Sequence, residues 1–264
     1  MKAQAEHVLD DKENLPIPLP PARRRLSKLS HIPQQGSSPL FSLPVEIRLQ
    51  IYSYVLALPG VVHLFLRRRR VGHVRCTSTN VDIDQARTCM ANQVDVLYEH
   101  KHYDFPPSSL TLALLMTCRA IYQEAVDILY TQNVFDVNHP QTFVYFARTV
   151  PSQRLASVAS LHVTWAHDLH PYYIVDYCDS PQHWWGPLWE IAATQMPGLK
   201  HLRLRLDGVR YYIGWDTEEH LLQPLLPLRG LQSFELDRAR LSESDNSKVS
   251  EIGDNIKDII CAPP

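Results

Sequence analysis

"LLMTCRAIYQEAVDILYTQNVFDV", Leu114 to Val137, holds the pattern on which the fold turns. Leu114, Cys118, Ile121, Ala125 and Ile128 recur at steps of four, three, four and three, which is one continuous helical face. Leu115, Tyr122, Val126 and Leu129 add a second apolar face and leave Arg119, Gln123 and Asp127 as a polar stripe. A helix this broadly apolar is expected to be buried on most sides. Cys118 then belongs to the apolar face as a small hydrophobe, and no histidine stands at helical spacing to make it a catalytic thiol. Asn133 is the expected helix end, with Val134-Phe135-Asp136-Val137 entering a strand.

Upstream, "FSLPVEIRLQIYSYVLALPG" opens an amphipathic helix near Phe41. Ser42 is the expected cap, Pro44 suits the first turn, and Glu46 favours the positive end of the helix dipole. Leu43, Ile47, Ile51 and Val55 form the apolar stripe, with Tyr54 beside it, and Pro59-Gly60 ends the helix. Val61 to Leu66 and Val71 to Cys76 read as an antiparallel hairpin with arginines at its connection. Residues 77–109 read as a long insertion, and "PQTFVYFARTVP" as a short helix from about Gln141 to Arg148.

Glu46 and Arg48 on the first helix, and Arg119 and Glu124 on the second, are ionisable groups on apolar elements. Such groups are tolerated when paired or when they reach water. If the helices pack together, Glu46 with Arg119 and Arg48 with Glu124 are the natural structural charge pairs.

From residue 150 onward "SVASLHVTW", "MPGLKHLRLRL" and "LRGLQSFELDR" resemble one another. Aligned, they place Val158, Leu199 and Leu231 together, then Leu161, Leu202 and Phe234, then Val163, Leu204 and Leu236. The form apolar-x-x-apolar-x-apolar is the strand part of a leucine-rich repeat. Helical candidates before the second and third copies imply parallel neighbours. An ordinary α/β sheet with coincidental leucines reads the same residues equally well. The expected fold is therefore mixed α/β, or α+β: an N-terminal helix, a small sheet with a hairpin insertion, then irregular helix-strand units. Its parts are a disordered region over 1–40 and a single domain over 41–240, helical and hairpin to 150 and repeat-like from 151. Residues 241–264 follow as a polar tail, with one marginal helix expected from about Lys248 to Ile260.

Composition narrows the function classes. In 264 residues with 45% hydrophobic and 20% charged content, the net charge of −2 gives no global signature for nucleic acid or an anionic membrane. No apolar run is long enough to span a bilayer, and the first residues lack the apolar core of a secretory signal. The five cysteines are scattered and never spaced as C-x-x-C, which argues against a disulfide framework or a zinc knuckle. An intracellular protein, cytoplasmic or nuclear, is expected. The chain has 9 glycines and neither a phosphate-binding glycine loop nor a G-x-S-x-G elbow, so no enzyme, cofactor or small-molecule substrate is expected. "AHDLHPYYIVDYCDSPQHWWGPLW" holds His167, His170, His183, Asp168, Asp176, Asp179 and Cys178, at spacings that match no metal-ligand motif. It reads instead as an aromatic loop that caps a core or forms a contact surface. Arg24-Arg25-Leu26-Ser27 has a form that basophilic kinases accept, which makes Ser27 a candidate phosphosite. That basic cluster and Arg67 to Arg70 also admit a nuclear-import reading, against which stands a plain solvated charge cluster.

Two motifs carry a family resemblance. "LPVEIRLQIYSYVL", Leu43 to Leu56, resembles the first helix of F-box domains, which opens leucine-proline-x-glutamate. "LLMTCRAIYQEAVDILYTQNVF", Leu114 to Phe135, resembles the helix-to-strand block of a group of uncharacterised fungal F-box-like proteins. Some of those end in degenerate leucine-rich-like repeats, to which the C-terminal half here is similar. The resemblance implies a non-enzymatic interaction module, in its sharper form a substrate adaptor of a ubiquitin ligase with the repeats as receptor. By position it assigns Leu43, Pro44, Ile47 and Ile51 to the face that docks a Skp1-type linker. It also sets an alternative: a first helix locked onto the core by the charge pairs withholds that face, leaving a self-contained domain. A nuclear regulator using the basic patches is a further alternative.

Overall fold

The computed structural model describes residues 38–57, 60–67, 70–76, 112–137, 140–166, 181–207, 221–239 and 246–263. The expectations for residues 1–37, Ser27 among them, for the 77–109 insertion and for the ligand-rich loop 167–180 lie outside the described residues. Among the described residues the fold is α+β, with seven helices and one mixed sheet of six strands. The helices are α1 (Val45–Leu56), α2 (Ala113–Thr117), α3 (Arg119–Thr131), α4 (Pro140–Thr149), α5 (Ser152–Leu155), α6 (Pro181–Gln195) and α7 (Asn246–Cys261). The strands are β1 (Val61–Arg67), β2 (Arg70–Cys76), β3 (Val134–Val137), β4 (Ser160–Ala166), β5 (His201–Asp207) and β6 (Ser233–Ala239).

The sheet runs β2-β1-β3-β4-β5-β6, with β1 and β2 antiparallel and every other pair parallel. Its register stacks one apolar residue from each of five strands: Val62, Phe135, Leu161, Leu202 and Phe234. The next such row is Leu64, Val137, Val163, Leu204 and Leu236. Side chains alternate between sheet faces, so both rows lie on one face. There they form the main core with Phe143 and Phe146 of α4, Trp185, Leu188 and Trp189 of α6, and Ile256 and Ile260 of α7. The leucines aligned from sequence are thus true register partners. The spacing pattern found them because burial on one face imposes a period of two.

The tryptophans expected in a loop are core. Helix α6 begins at Pro181, Trp185 and Trp189 meet edge-to-face at 5.2 Å, and Trp185 Nε1 donates to the Leu221 carbonyl at 2.8 Å. The expected marginal C-terminal helix is α7, sixteen residues long. Ile260 is fully buried, and the segment joins the body through Leu231 N–H to the Ile260 carbonyl and Gly230 N–H to the Ala262 carbonyl. Gly230 takes φ 73°, which side-chain-bearing residues rarely adopt.

The single long helix expected over Leu114 to Leu129 is instead two. Cys118 is extended (φ −157°, ψ 163°) between α2 and α3, and its Sγ accepts from the Ile121 N–H at 3.5 Å as an N-cap. Cys118 is only partly buried, so its assignment to a buried face is corrected. The apolar pattern ran through the break because α2 and α3 both pack on one small cluster. There Leu114, Leu115 and Cys118 surround Tyr52, Leu56, Ile121, Ala125 and Ile128.

Candidate functional site

Helix α1 presents two faces. Arg48, Tyr52 and Leu56 succeed one another at four-residue steps and turn toward α3, where Tyr52 and Leu56 are fully buried. Glu124 on α3 receives three hydrogen bonds from this face. Arg48 gives two, Nε at 2.9 Å and Nη2 at 2.6 Å, and the Tyr52 hydroxyl gives one at 3.1 Å. The third Arg48 nitrogen, Nη1, donates to the Leu43 carbonyl at 2.7 Å, and the guanidinium lies 5.6 Å from the Phe41 ring centre. One arginine therefore fixes both the helix packing and the approach of the chain to the helix. The Arg48 hydrogen bonds hold the Glu124 carboxyl below its ordinary range. Burial, aided by Glu124, pushes the Tyr52 hydroxyl up to about 12. Asn133, itself buried, ties the far ends of the two helices, its Nδ2 donating to the carbonyls of Leu56 (2.8 Å) and Leu129 (2.9 Å).

Half of the expected clamp is absent. Glu46 and Arg119 are both exposed and form no ion pair among the described residues. Ser42 does not cap α1, since its hydroxyl donates to the Pro39 carbonyl within a 3₁₀ turn over Pro39–Ser42, and Pro44 occupies the N-cap position. Of the expected apolar stripe, Val55 packs on the inner cluster, but the stripe as a whole is not the inner face. Ile47 is 43% exposed and Tyr54 70% exposed, Ile51 and Leu43 are partly buried, and Pro44 is exposed. Ile47, Ile51 and Tyr54, at steps of four and three, make an outward apolar strip beside Leu43 and Pro44. The clamp and this strip occupy different sides of α1, so locking the helix does not withhold the strip. The two had been expected to compete, and the helical geometry removes that conflict.

The other sheet face carries a feature that the apolar alignment passed over. The same register that stacks the leucines stacks the residues between them: His63, Asp136, His162, Arg203 and Glu235. The next row on this face holds Thr164, Arg205 and Asp237. His63 Nδ1 and Asp136 Oδ2 lie 2.7 Å apart, both residues buried. Arg203 reaches Asp237 at 3.3 Å and Glu235 at 3.8 Å. Reading the intervening positions of the aligned strands for charge would have revealed this row.

Among the described residues no helix is long and apolar enough to cross a membrane, and no group of three His, Cys, Asp or Glu side chains is arranged to hold a metal ion. No curated protein and no solved structure matches the chain. Residues 33–247 match the model of a domain of unknown function, DUF7730, and the chain belongs to that family.

Proposed function

We propose that this chain is a non-enzymatic protein–protein interaction module whose docking element is the outer side of α1. The observation that carries this reading is the apolar strip Ile47, Ile51 and Tyr54, turned outward while Arg48 and Tyr52 anchor the opposite side of the helix. Apolar residues at such spacing on a rigidly held helix suit a helical partner that covers them. The F-box resemblance of Leu43 to Leu56 supplies the partner class: a Skp1-type linker, with Leu43, Pro44, Ile47 and Ile51 in contact. In this reading the chain is a substrate adaptor of a ubiquitin ligase and the sheet region after residue 150 is its receptor half.

Calorimetric titration of the purified full chain with a Skp1-type linker tests the proposal. Saturable binding is expected, with a loss of at least tenfold in affinity for Ile47→Asp and an unchanged melting temperature, because Ile47 is largely exposed. Absent binding by the wild type would favour a self-contained domain. Binding that survives Ile47→Asp would remove α1 from the interface.

A further inference from the structure

The polar row holds two engaged groups of charge with one residue between them. On one side the Asp136 carboxylate of β3 is engaged by His63 of β1 at 2.7 Å. On the other, Arg203 of β5 is engaged by Asp237 and Glu235 of β6. His162 of β4 stands between these groups, level with Asp136 and Arg203. Among the described residues it makes no hydrogen bond or ion pair. The charged and titratable groups on its face of the sheet are His63 from β1, Asp136 from β3, His201, Arg203 and Arg205 from β5, and Glu235 and Asp237 from β6. Thr164 and Ser160 flank it on its own strand.

Adjacent parallel strands lie about 4.8 Å apart. Asp136 is therefore flanked on either side by an imidazole one strand away and can face only one of them squarely. We propose that Asp136 is a two-position switch between these imidazoles: it is held by His63 while His162 is neutral, and drawn toward β4 when His162 takes a proton. The proton comes from a solvent hydronium to a ring nitrogen of His162, an N–H bond forming as the hydronium O–H bond breaks and leaves water, while Asp136 exchanges only hydrogen bonds. The charge balance supports the direction. While His63 is neutral, a protonated His162 beside the Arg203 cation is the positive charge one strand from Asp136, and Asp136 is its nearest carboxylate in the register, with Glu235 two strands away. Burial and the Arg203 cation also hold the His162 ring below the ordinary imidazole value of 6.5, with Asp136 and Glu235 opposing them. The switch therefore operates on the acid side of neutrality.

The fold context gives the switch a lever. Strands β1 and β3 directly follow α1 and α3, and the β1–β3 pairing runs from Val61↔Val134 to Leu64↔Val137. A carboxylate that leaves His63 for His162 removes a buried cross-strand contact from the pair of strands that carries those two helices.

Side-chain imidazole NMR of the full chain between pH 8 and pH 5 tests the proposal. His162 is expected to titrate below 6.5, and the His63 ring signals are expected to shift with the same midpoint. Asp136→Asn is expected to move the His162 midpoint further down, because the larger of the two carboxylate influences that favour its proton, Asp136 ahead of Glu235, is neutralised. His162→Gln is expected to abolish the His63 response at that midpoint. A His63 ring indifferent to the His162 titration, or a His162 midpoint at or above 6.5, overturns the switch. If either variant fails to fold, the two wild-type titration curves decide the matter alone.

Discussion

Ile259 and Ile260 are neighbours in sequence and opposites in burial: Ile260 is fully buried in the main core, whereas Ile259 is 39% exposed. Truncating Ile260 to alanine removes three carbons from that core. At about 0.8 kcal/mol per buried carbon, the transfer loss is about 2.4 kcal/mol. The cavity left where α7 meets the sheet adds to it, giving an expected total of about 2.5–4 kcal/mol, within the range for large-to-small core changes. The same truncation at Ile259 touches a partly solvated position and is expected to change stability by less than about 0.5–1 kcal/mol. Urea unfolding of both variants, followed by tryptophan fluorescence, measures the difference, since Trp185 and Trp189 share the core with Ile260. For a domain of this size the Ile260→Ala loss corresponds to about 5–16 °C in melting temperature, at about 2–4 °C per kcal/mol. Equal effects of the two substitutions, or an Ile260→Ala effect under about 1 kcal/mol, would show that α7 is an appendage and refute its place in the core. The comparison is informative because the family match ends at residue 247, just after α7 begins.

Glu124→Gln is expected to flatten the acid limb of the stability curve. The Glu124 pKa is depressed in the folded chain, so its contribution is complete above the unfolded value of about 4.5 and is lost as pH falls through the lower folded value. Melts from pH 6 to pH 3 check this, and identical acid limbs for variant and wild type would count against the clamp. Gly198→Ala is expected to destabilise by about 1–3 kcal/mol, because its Cβ would stand 2.4 Å from the Ala156 carbonyl oxygen, a backbone atom that cannot turn aside. Chemical denaturation reads this directly, and a neutral substitution would show that the approach of the Gly198 turn to Ala156 is looser than described.

Much of the sheet was legible in the sequence because one-sided burial writes a strong period of two. Leu161, Leu202 and Phe234 were aligned by spacing alone and are the actual register partners. Helical periodicity is weaker evidence about continuity. From Leu114 to Ile128 the three-four rhythm persisted across a helix break at Cys118, since two helices meeting one cluster produce the same rhythm as one. On α1 the pattern identified a helix but not its buried side. The apolar strip is outward, and the inner side is built from Arg48 and Tyr52, whose polar tips are satisfied by Glu124. Burial of a hydrogen-bonded polar group leaves no hydrophobic signature. The charged row on the far face escaped for the complementary reason: its members differ in type from strand to strand and become a series only once the register is known.

Asn133 and the β1–β3 pairing have a consequence for how this chain tolerates variation in length. The side chain of Asn133 bonds the end of α1 to the end of α3, and β1 lies directly beside β3. Both links bridge the stretch of sequence between β2 and α2 without using any residue of it. The ends of that stretch are therefore fixed by contacts independent of what joins them. Each doubling of a flexible joining segment costs only about 0.6 kcal/mol in closure entropy. A change in the length of what joins β2 to α2 is therefore expected to cost the Asn133 link and the β1–β3 register little beyond that closure entropy.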